Sequence, residues 1–155
     1  SFSKNFGLYG ERAGIVSVVT ANPKERENTI EQLKIGARCL WSCPPLYGAR
    51  IVTTILNDPV LFKQWEGECA AMSQRIKDMR ALLVENLKKA GSTRDWSHIT
   101  KQSGMFSYTG LTPEQIDRLR TEFHVYILSS SRASVAAINP SNVEYLAKAM
   151  HEVTK

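Results

Sequence analysis

The sequence has few cysteines: three among 155 residues, with no Cys-x-x-Cys pair. Cys39 and Cys43 lie four positions apart, but no histidine flanks them at the spacing of a zinc finger, and Cys69 stands alone. Cysteines in this number and arrangement are typical of reduced thiols in an intracellular protein. They exclude a disulfide framework, and we predict no metal site.

Long apolar runs are also missing. The longest, at residues 15–19, is far shorter than the ~20 apolar residues that a membrane helix needs, so we expect no membrane partner. The chain opens Ser1-Phe2-Ser3-Lys4, without an initiator methionine, a basic leader or the apolar region of a signal peptide. We therefore expect a processed protein or a piece of a longer one. A cytoplasmic location is predicted, and a mitochondrial one stays open.

Positive charge is not concentrated in any one segment of the sequence, although the net charge is +5. Basic and acidic residues alternate, as at residues 24–27 and 75–78, which is typical of solvated helix faces. No aromatic RNA-binding motif or recognition helix accompanies them. A nucleic-acid partner is therefore not expected, and arginines that hold small anionic ligands would explain the surplus equally well.

Four places combine a helix-capping side chain with a proline at the first helical position. They are Asn22-Pro23, Asp58-Pro59, Thr112-Pro113 and Asn139-Pro140. The second opens the longest predicted helix, about residues 59–90, whose apolar residues recur every three or four positions and which Gly91 closes. A shorter helix is predicted over about 46–56, after two prolines.

Short apolar or β-branched runs predict strands. The first, at residues 15–19, is predicted to be buried. The others are residues 96–99, 105–108, 125–128 and 133–138. Because these later runs alternate with helices, the part after Gly91 is predicted to be an α+β unit, joined to the earlier part by the long helix.

The opening segment carries the most chemical information. Lys4 lies among small polar residues before a glycine-rich turn. A lysine amine that is desolvated or close to other positive charge can form a Schiff base with a carbonyl. Arg12 offers a planar fork for a phosphate, and Ser1 can add a hydroxyl donor. These residues alone leave two interpretations open, a cofactor-binding lysine and an ordinary exposed one.

The string Ser-x-Ser-Lys-Asn-Phe-Gly-Leu-Tyr-x-Glu-Arg-x-Gly at residues 1–14 closely resembles the lysine segment of aspartate aminotransferases, which are fold-type I enzymes dependent on pyridoxal phosphate (PLP). Similar landmarks follow in order at residues 41–45, 48–52, 104–107 and 131–132, so the resemblance covers essentially the whole chain. It implies an α/β fold. Residues 1–70 would be the C-terminal part of the large PLP-binding domain, and residues 71–155 the small C-terminal α+β domain.

The resemblance also implies roles for single residues. Lys4 matches the lysine that forms the Schiff base with PLP and then moves the substrate's proton. Ser1 and Arg12 match residues that hold the PLP phosphate. Arg132 matches the arginine that pairs with the substrate α-carboxylate. Arg38 matches the arginine that the neighbouring subunit of a homodimer supplies to the distal carboxylate.

The expected activity is reversible amino transfer between L-aspartate and 2-oxoglutarate. Two alternatives remain: an aromatic or broad-specificity aminotransferase of the same family, and a non-catalytic dimerisation module. Other parts of the family's site are expected upstream of Ser1, so these residues alone are not expected to transaminate. Two positions depart from the family pattern, since Cys43 stands where asparagine is usual and Ser131 where glycine is common.

Overall fold

A computed structural model describes residues 1–155. It contains six α-helices and one two-stranded antiparallel sheet. The chain divides into two compact units, Ser1–Cys69 and Ala70–Lys155. None of the helices combines the length and the apolar character required to cross a bilayer.

Helix α1 spans Pro23–Trp41 and begins where the sequence predicts. The Asn22 side chain accepts a hydrogen bond from the Glu25 amide at 2.9 Å, and the Glu25 carboxylate accepts one from the Ala21 amide at 2.8 Å. These bonds satisfy amide groups that have no partner within a helix. The chain leaves the helix through Ser42, which has a φ of 60°.

Helix α2 spans Tyr47–Asn57, and helix α3 spans the 31 residues Pro59–Lys89. The Asp58 carboxylate accepts a hydrogen bond from the Val60 amide at 2.8 Å and so caps α3. Gly91 follows the helix with a φ of 89°, a conformation that favours glycine. The predicted short helix and the predicted long helix are both confirmed.

Residues 15–19 form no strand, so the prediction of a buried strand there is wrong for these residues. Val19 is 98% exposed, and Ile15 and Val16 are exposed as well. A strand needs a hydrogen-bonded neighbour, and no other segment of the first unit pairs with this one. A β-branched composition fits a pleated surface but does not itself supply that neighbour.

The second unit has a hydrophobic core. The elements of this second unit are the end of α3, α4 (Ser97–Lys101), β1 (Phe106–Tyr108), α5 (Pro113–Phe123), β2 (Arg132–Ser134) and α6 (Val143–Thr154). The apolar stripe of α3 enters this core only in its second half, through Met79, Leu83 and Leu87, together with Ile76 at the core's edge. Earlier on the stripe, Met72 is exposed, whereas Trp65 and Cys69 are half-buried.

Strand β1 pairs with β2 in a register that sets Phe106 opposite Ser134 and Tyr108 opposite Arg132. The middle residue of β1, Ser107, is buried, whereas the two aromatic side chains beside it are exposed. Because side chains alternate along a strand, one face of this sheet meets the core and the other carries Arg132.

Three other strand predictions need correction. The run at 96–99 is largely helical, because the Asp95 carboxylate accepts a hydrogen bond from the Ser97 amide at 2.8 Å and starts α4. Residues 125–128 form no strand. Only the start of 133–138 belongs to β2, and Val135–Ala137 form a 3-10 turn. The run at 105–108 does form β1.

The last helix also begins later than predicted. The Asn139 side chain accepts hydrogen bonds from the amides of Ser141 and Asn142, at 2.9 and 3.1 Å. The capping side chain therefore holds a turn of its own, and α6 starts at Val143.

Candidate active site

Residues 1–14 form a loop whose two ends lie together. The Phe2 amide donates to the Ala13 carbonyl at 3.0 Å, and the Gly7 amide donates to the Lys4 carbonyl at 3.2 Å. Gly7 has a φ of 65°, which lets the chain turn directly after the lysine. This segment is called the lysine loop below.

The lysine loop brings Lys4 and Arg12 to the same aromatic ring. The Lys4 ammonium nitrogen lies 3.7 Å from the centre of the Tyr9 ring. The Arg12 guanidinium donates to the Tyr9 carbonyl at 3.1 Å, and its central carbon lies 6.0 Å from the same ring centre. Tyr9 was not among the predicted site residues, since spacing along the chain does not reveal which ring lies under an ammonium group.

Hydroxyl groups lie at the start of the same loop. The Ser1 and Ser3 hydroxyl oxygens are 2.9 Å apart, and the Ser1 hydroxyl also accepts from the Ser3 amide at 3.3 Å. Neither Lys4 nor Arg12 forms a salt bridge. Two cations without a carboxylate partner, on the same loop as two hydroxyl groups, can hold an anionic group.

Trp65 of helix α3 packs against the lysine loop. The indole N–H donates to the Asn5 carbonyl at 2.7 Å, and the Phe6 ring stacks on the indole with centroids 4.7 Å apart. The Cys69 thiol donates to the same carbonyl at 3.3 Å. Trp65 and Cys69, in the first half of the apolar stripe of α3, therefore contact the loop that carries Lys4.

Gly48 in α2 allows the end of the lysine loop that carries Arg12 to approach this helix closely. Gly48 is buried, and a Cβ atom added to it would lie 2.9 Å from Glu11 Cβ and 3.0 Å from Ala13 Cβ. These two residues flank Arg12, which itself has a φ of 53°. The position of Arg12 therefore depends on a helix residue without a side chain.

Arg38 lies in the last turn of α1 and is exposed. Its guanidinium has no hydrogen bond and no salt bridge, whereas its carbonyl accepts from the Ser42 amide at 2.9 Å. The lysine loop and Arg38 belong to the first unit, but no hydrogen bond joins them. Cys43, one of the two departures from the family pattern, lies shortly after Arg38 in the sequence and is exposed.

Arg132 belongs to the second unit, at the start of β2. Its guanidinium carbon lies 4.5 Å from the centre of the Phe106 ring, so the cation rests on an aromatic face. The side chain is exposed and has no carboxylate partner. It can therefore present its planar fork to an anion.

A buried serine, Ser131, directly precedes Arg132. Ser131 has a φ of 66°, in the left-handed region that favours glycine. Its hydroxyl lies 2.7 Å from the Thr109 hydroxyl and accepts from the Leu111 amide at 2.8 Å. Ser131, which stands where glycine is common in the family, thus adopts a backbone conformation typical of glycine, and its hydroxyl adds two hydrogen bonds.

Arg80 is a charged residue among the buried polar residues, and sequence reasoning missed it. It is 2% exposed, and burial lowers the pKa of its guanidinium. A signal was available, because Arg80 lies four residues after Ile76 and therefore on the buried side of α3. Among all residues, no group of three metal-binding side chains comes together.

Comparison with known proteins identifies the family. A model of the family described as "Aminotransferase class I and II" matches residues 1–150. The chain belongs to this family. The α/β fold expected from the lysine segment is the fold of these aminotransferases, and the structural matches below confirm that prediction.

Curated aminotransferases similar to the chain are aspartate aminotransferases. The mitochondrial enzyme of Dictyostelium discoideum is 57% identical over 155 residues, and that of Gallus gallus is 52% identical over the same length. The match covers 100% of this chain but 36% and 37% of those proteins. The chain therefore spans little more than a third of the length of these relatives.

Solved aminotransferase structures match the whole chain as well. A mitochondrial aspartate aminotransferase from Trypanosoma brucei has a TM-score of 0.97 at 49% identity, over 41% of its length. An aromatic amino acid aminotransferase from Psychrobacter, cocrystallised with aspartic acid, has a TM-score of 0.96 at 48% identity, over 39% of its length. An aromatic-amino-acid aminotransferase from Burkholderia pseudomallei, covalently bound to pyridoxal phosphate, has a TM-score of 0.97 at 47% identity, over 39% of its length.

Proposed function

We propose that these residues supply the cofactor lysine and the carboxylate-binding arginines of an aspartate aminotransferase. The reaction is reversible amino transfer from L-aspartate to 2-oxoglutarate, which gives oxaloacetate and L-glutamate. The observation that carries the proposal is the lysine loop, in which Lys4 and Arg12 contact the same Tyr9 ring and neither cation has a carboxylate partner. Ser1 belongs to the same loop. The identity to aspartate aminotransferases over the whole chain supports the substrate.

The chemistry of the lysine loop fits PLP. An anionic phosphate needs cationic and hydroxyl donors, which Arg12 and Ser1 provide. A covalent bond to the aldehyde needs an amine that is not tied up in a salt bridge, and Lys4 meets this condition. The related Burkholderia enzyme that carries the same cofactor supports the assignment.

When bound, PLP supplies an aldehyde for covalent attachment and a ring that withdraws electrons from the substrate. Arg12 and Ser1 anchor the phosphate. The Lys4 amine accepts the proton from the substrate Cα and donates it again, so that one side chain serves as base and acid. Arg132 pairs with the α-carboxylate in two parallel hydrogen bonds.

The distal carboxylate of a dicarboxylate substrate needs a second cation, and Arg38 is assigned to it. Its exposed guanidinium, without a partner in its own chain, suits a role across the interface of a homodimer. The remaining groups of the site would come from parts of the protein outside these residues. Of the two compartments expected, the mitochondrial names of the relatives favour the mitochondrion.

The experiment uses the complete protein with PLP. We expect a yellow protein in which borohydride reduction attaches the label to Lys4, as peptide mapping would detect, and in which coupled assays give a kcat/KM for aspartate. If the label is found on a lysine other than Lys4, or if the protein stays colourless and does not bind PLP, the result would favour the non-catalytic module and contradict the proposal.

A second candidate is an aminotransferase that accepts aromatic as well as dicarboxylic substrates. The Psychrobacter enzyme, an aromatic aminotransferase cocrystallised with aspartic acid, favours it. An exposed Arg38 can move aside for an apolar side chain, because no bond in its own chain fixes it. The ratio of kcat/KM for aspartate and phenylalanine separates the two candidates, and comparable values would favour the broader enzyme.

A further inference from the structure

Arg80 is a buried cation without an anionic partner. Its two terminal nitrogens donate four hydrogen bonds, none of them to a carboxylate. The acceptors are the carbonyls of Ile99, Gly104 and Phe106, at 2.8, 2.9 and 2.7 Å, and the Ser107 hydroxyl at 3.1 Å. The remaining nitrogen, Nε, is buried without a partner.

A buried guanidinium is costly, because it loses its hydration and has no counter-ion to compensate. Here oxygen dipoles replace water, and three of the four acceptors lie within the short segment 104–107. Only the planar fork of arginine can reach them together, since a lysine ammonium is a single point of charge. The arrangement anchors the backbone of this segment at two carbonyls, those of Gly104 and Phe106.

The segment held by Arg80 carries the ring on which Arg132 rests. The Phe106 carbonyl accepts from Arg80 at 2.7 Å, and the Phe106 ring lies 4.5 Å from the Arg132 guanidinium carbon. A shift of the Phe106 backbone would therefore move the surface that orients Arg132. Arg80 and Arg132 belong to the same unit, and Phe106 contacts both.

We infer that Arg80 is a positioning residue for substrate recognition: it holds Phe106 in place, and Phe106 orients Arg132 toward the α-carboxylate. This inference rests on the proposed function, which assigns that carboxylate to Arg132. Arg80 touches neither substrate nor cofactor in this arrangement. Its removal should therefore damage recognition of the α-carboxylate and leave attachment of PLP to Lys4 intact.

The test uses the complete enzyme with PLP and two amines that differ only in this group. Aspartate carries an α-carboxylate, whereas β-alanine keeps the amine and the other carboxylate but lacks it. The half-reaction of each is followed by the visible absorbance of the cofactor. We expect Arg80→Lys to lower kcat/KM for aspartate about 10-fold, because small displacements of a clamp cost this much or more. The value for β-alanine should change less than about two-fold, and the pH midpoint of the cofactor's absorbance should stay the same.

Arg75→Lys is the matched control. Arg75 also lies on α3 and also donates to carbonyls, those of Ala136 and Ile138, but it does not touch segment 104–107. Its substitution should leave the aspartate value unchanged. Phe106→Leu tests the route, since it should reproduce the aspartate-specific loss, and the double variant with Arg80→Lys should lose no more than the stronger single variant.

The outcomes are distinct. An aspartate value for Arg80→Lys within two-fold of wild type overturns the inference, as does an equal loss for both amines, which would mark a purely structural role. If Arg80→Lys does not fold, Ser107→Ala removes one acceptor of Arg80 and decides instead, with an aspartate-specific loss of about three-fold supporting the inference and no loss overturning it. If the wild-type enzyme carries no PLP on Lys4, the proposed function is overturned together with this inference. The results for the variants alone cannot overturn the proposed function.

Discussion

The hydroxyl of Ser131 lies 2.7 Å from the hydroxyl of Thr109, and both residues are buried. Ser131 directly precedes β2, which begins with Arg132, and Thr109 directly follows β1. The same Ser131 hydroxyl accepts from the Leu111 amide. This contact connects the loop before Arg132 to the segment that follows β1. It also explains how a serine is tolerated where the backbone has a φ of 66°.

Ser131→Ala should destabilise the protein by about 2 kcal/mol, because it leaves the buried Leu111 amide without its acceptor while the left-handed backbone remains. It also removes the contact between the two hydroxyls, although the Thr109 hydroxyl can still donate to the Ser131 carbonyl. Ser131→Gly loses the same bonds but relieves strain of about 1 kcal/mol. Urea unfolding of the two variants would measure the difference. A glycine variant less stable than the alanine variant would show that backbone strain at this residue is negligible.

Trp65→Phe should weaken PLP binding about five-fold, because it removes the hydrogen bond to the Asn5 carbonyl and keeps a ring for Phe6. Titration of the apoprotein with PLP, followed by absorbance, gives the dissociation constant. Trp96→Phe is the control, since it removes a comparable bond, from the Trp96 indole to the Ser92 hydroxyl, within the second unit. Equal effects of the two substitutions would argue against a specific role of Trp65.

Gly48→Ala should displace the part of the lysine loop that holds Arg12, because the added carbon meets Glu11 and Ala13 at 2.9 and 3.0 Å. We expect the affinity for inorganic phosphate and for PLP to fall about ten-fold, as a small displacement of a clamp allows. The control is Gly36→Ala in α1, where nothing lies within 4 Å of the added carbon. That substitution should stabilise the helix by about 0.5–1 kcal/mol and leave both affinities unchanged.

Arg38→Ala should lower kcat/KM for aspartate about 100-fold and that for phenylalanine less than about three-fold, because only aspartate has a distal carboxylate to lose its partner. Steady-state assays with both amino acids measure the two values. Arg26→Ala, also on α1 and without a salt bridge, is the matched control and should change neither. Equal losses for both substrates would remove the role assigned to Arg38.

Local signals in the sequence were sufficient for most of the helices, though not for α4 or for the start of α6, and for the lysine loop as a motif. A capping side chain with a proline, or a glycine with a positive φ, acts within a few residues, so α1, α3 and α5 begin or end where expected. The motif around Lys4 also named Lys4 and Arg12, which the structure brings to the same Tyr9 ring, whereas the roles assigned to them stay predictions. These inferences needed no contact between distant residues.

Tertiary structure decided the rest, because those features depend on partners far away in sequence. Residues 15–19 have a strand's composition but no neighbour to pair with. Trp65 reaches Asn5 across 60 positions, and Arg80 reaches Phe106 across 26. A sequence pattern shows that such side chains are apolar or charged, but only the folded chain determines which backbone carbonyl a distant donor meets, and therefore which residues hold Lys4 and Arg132 in place.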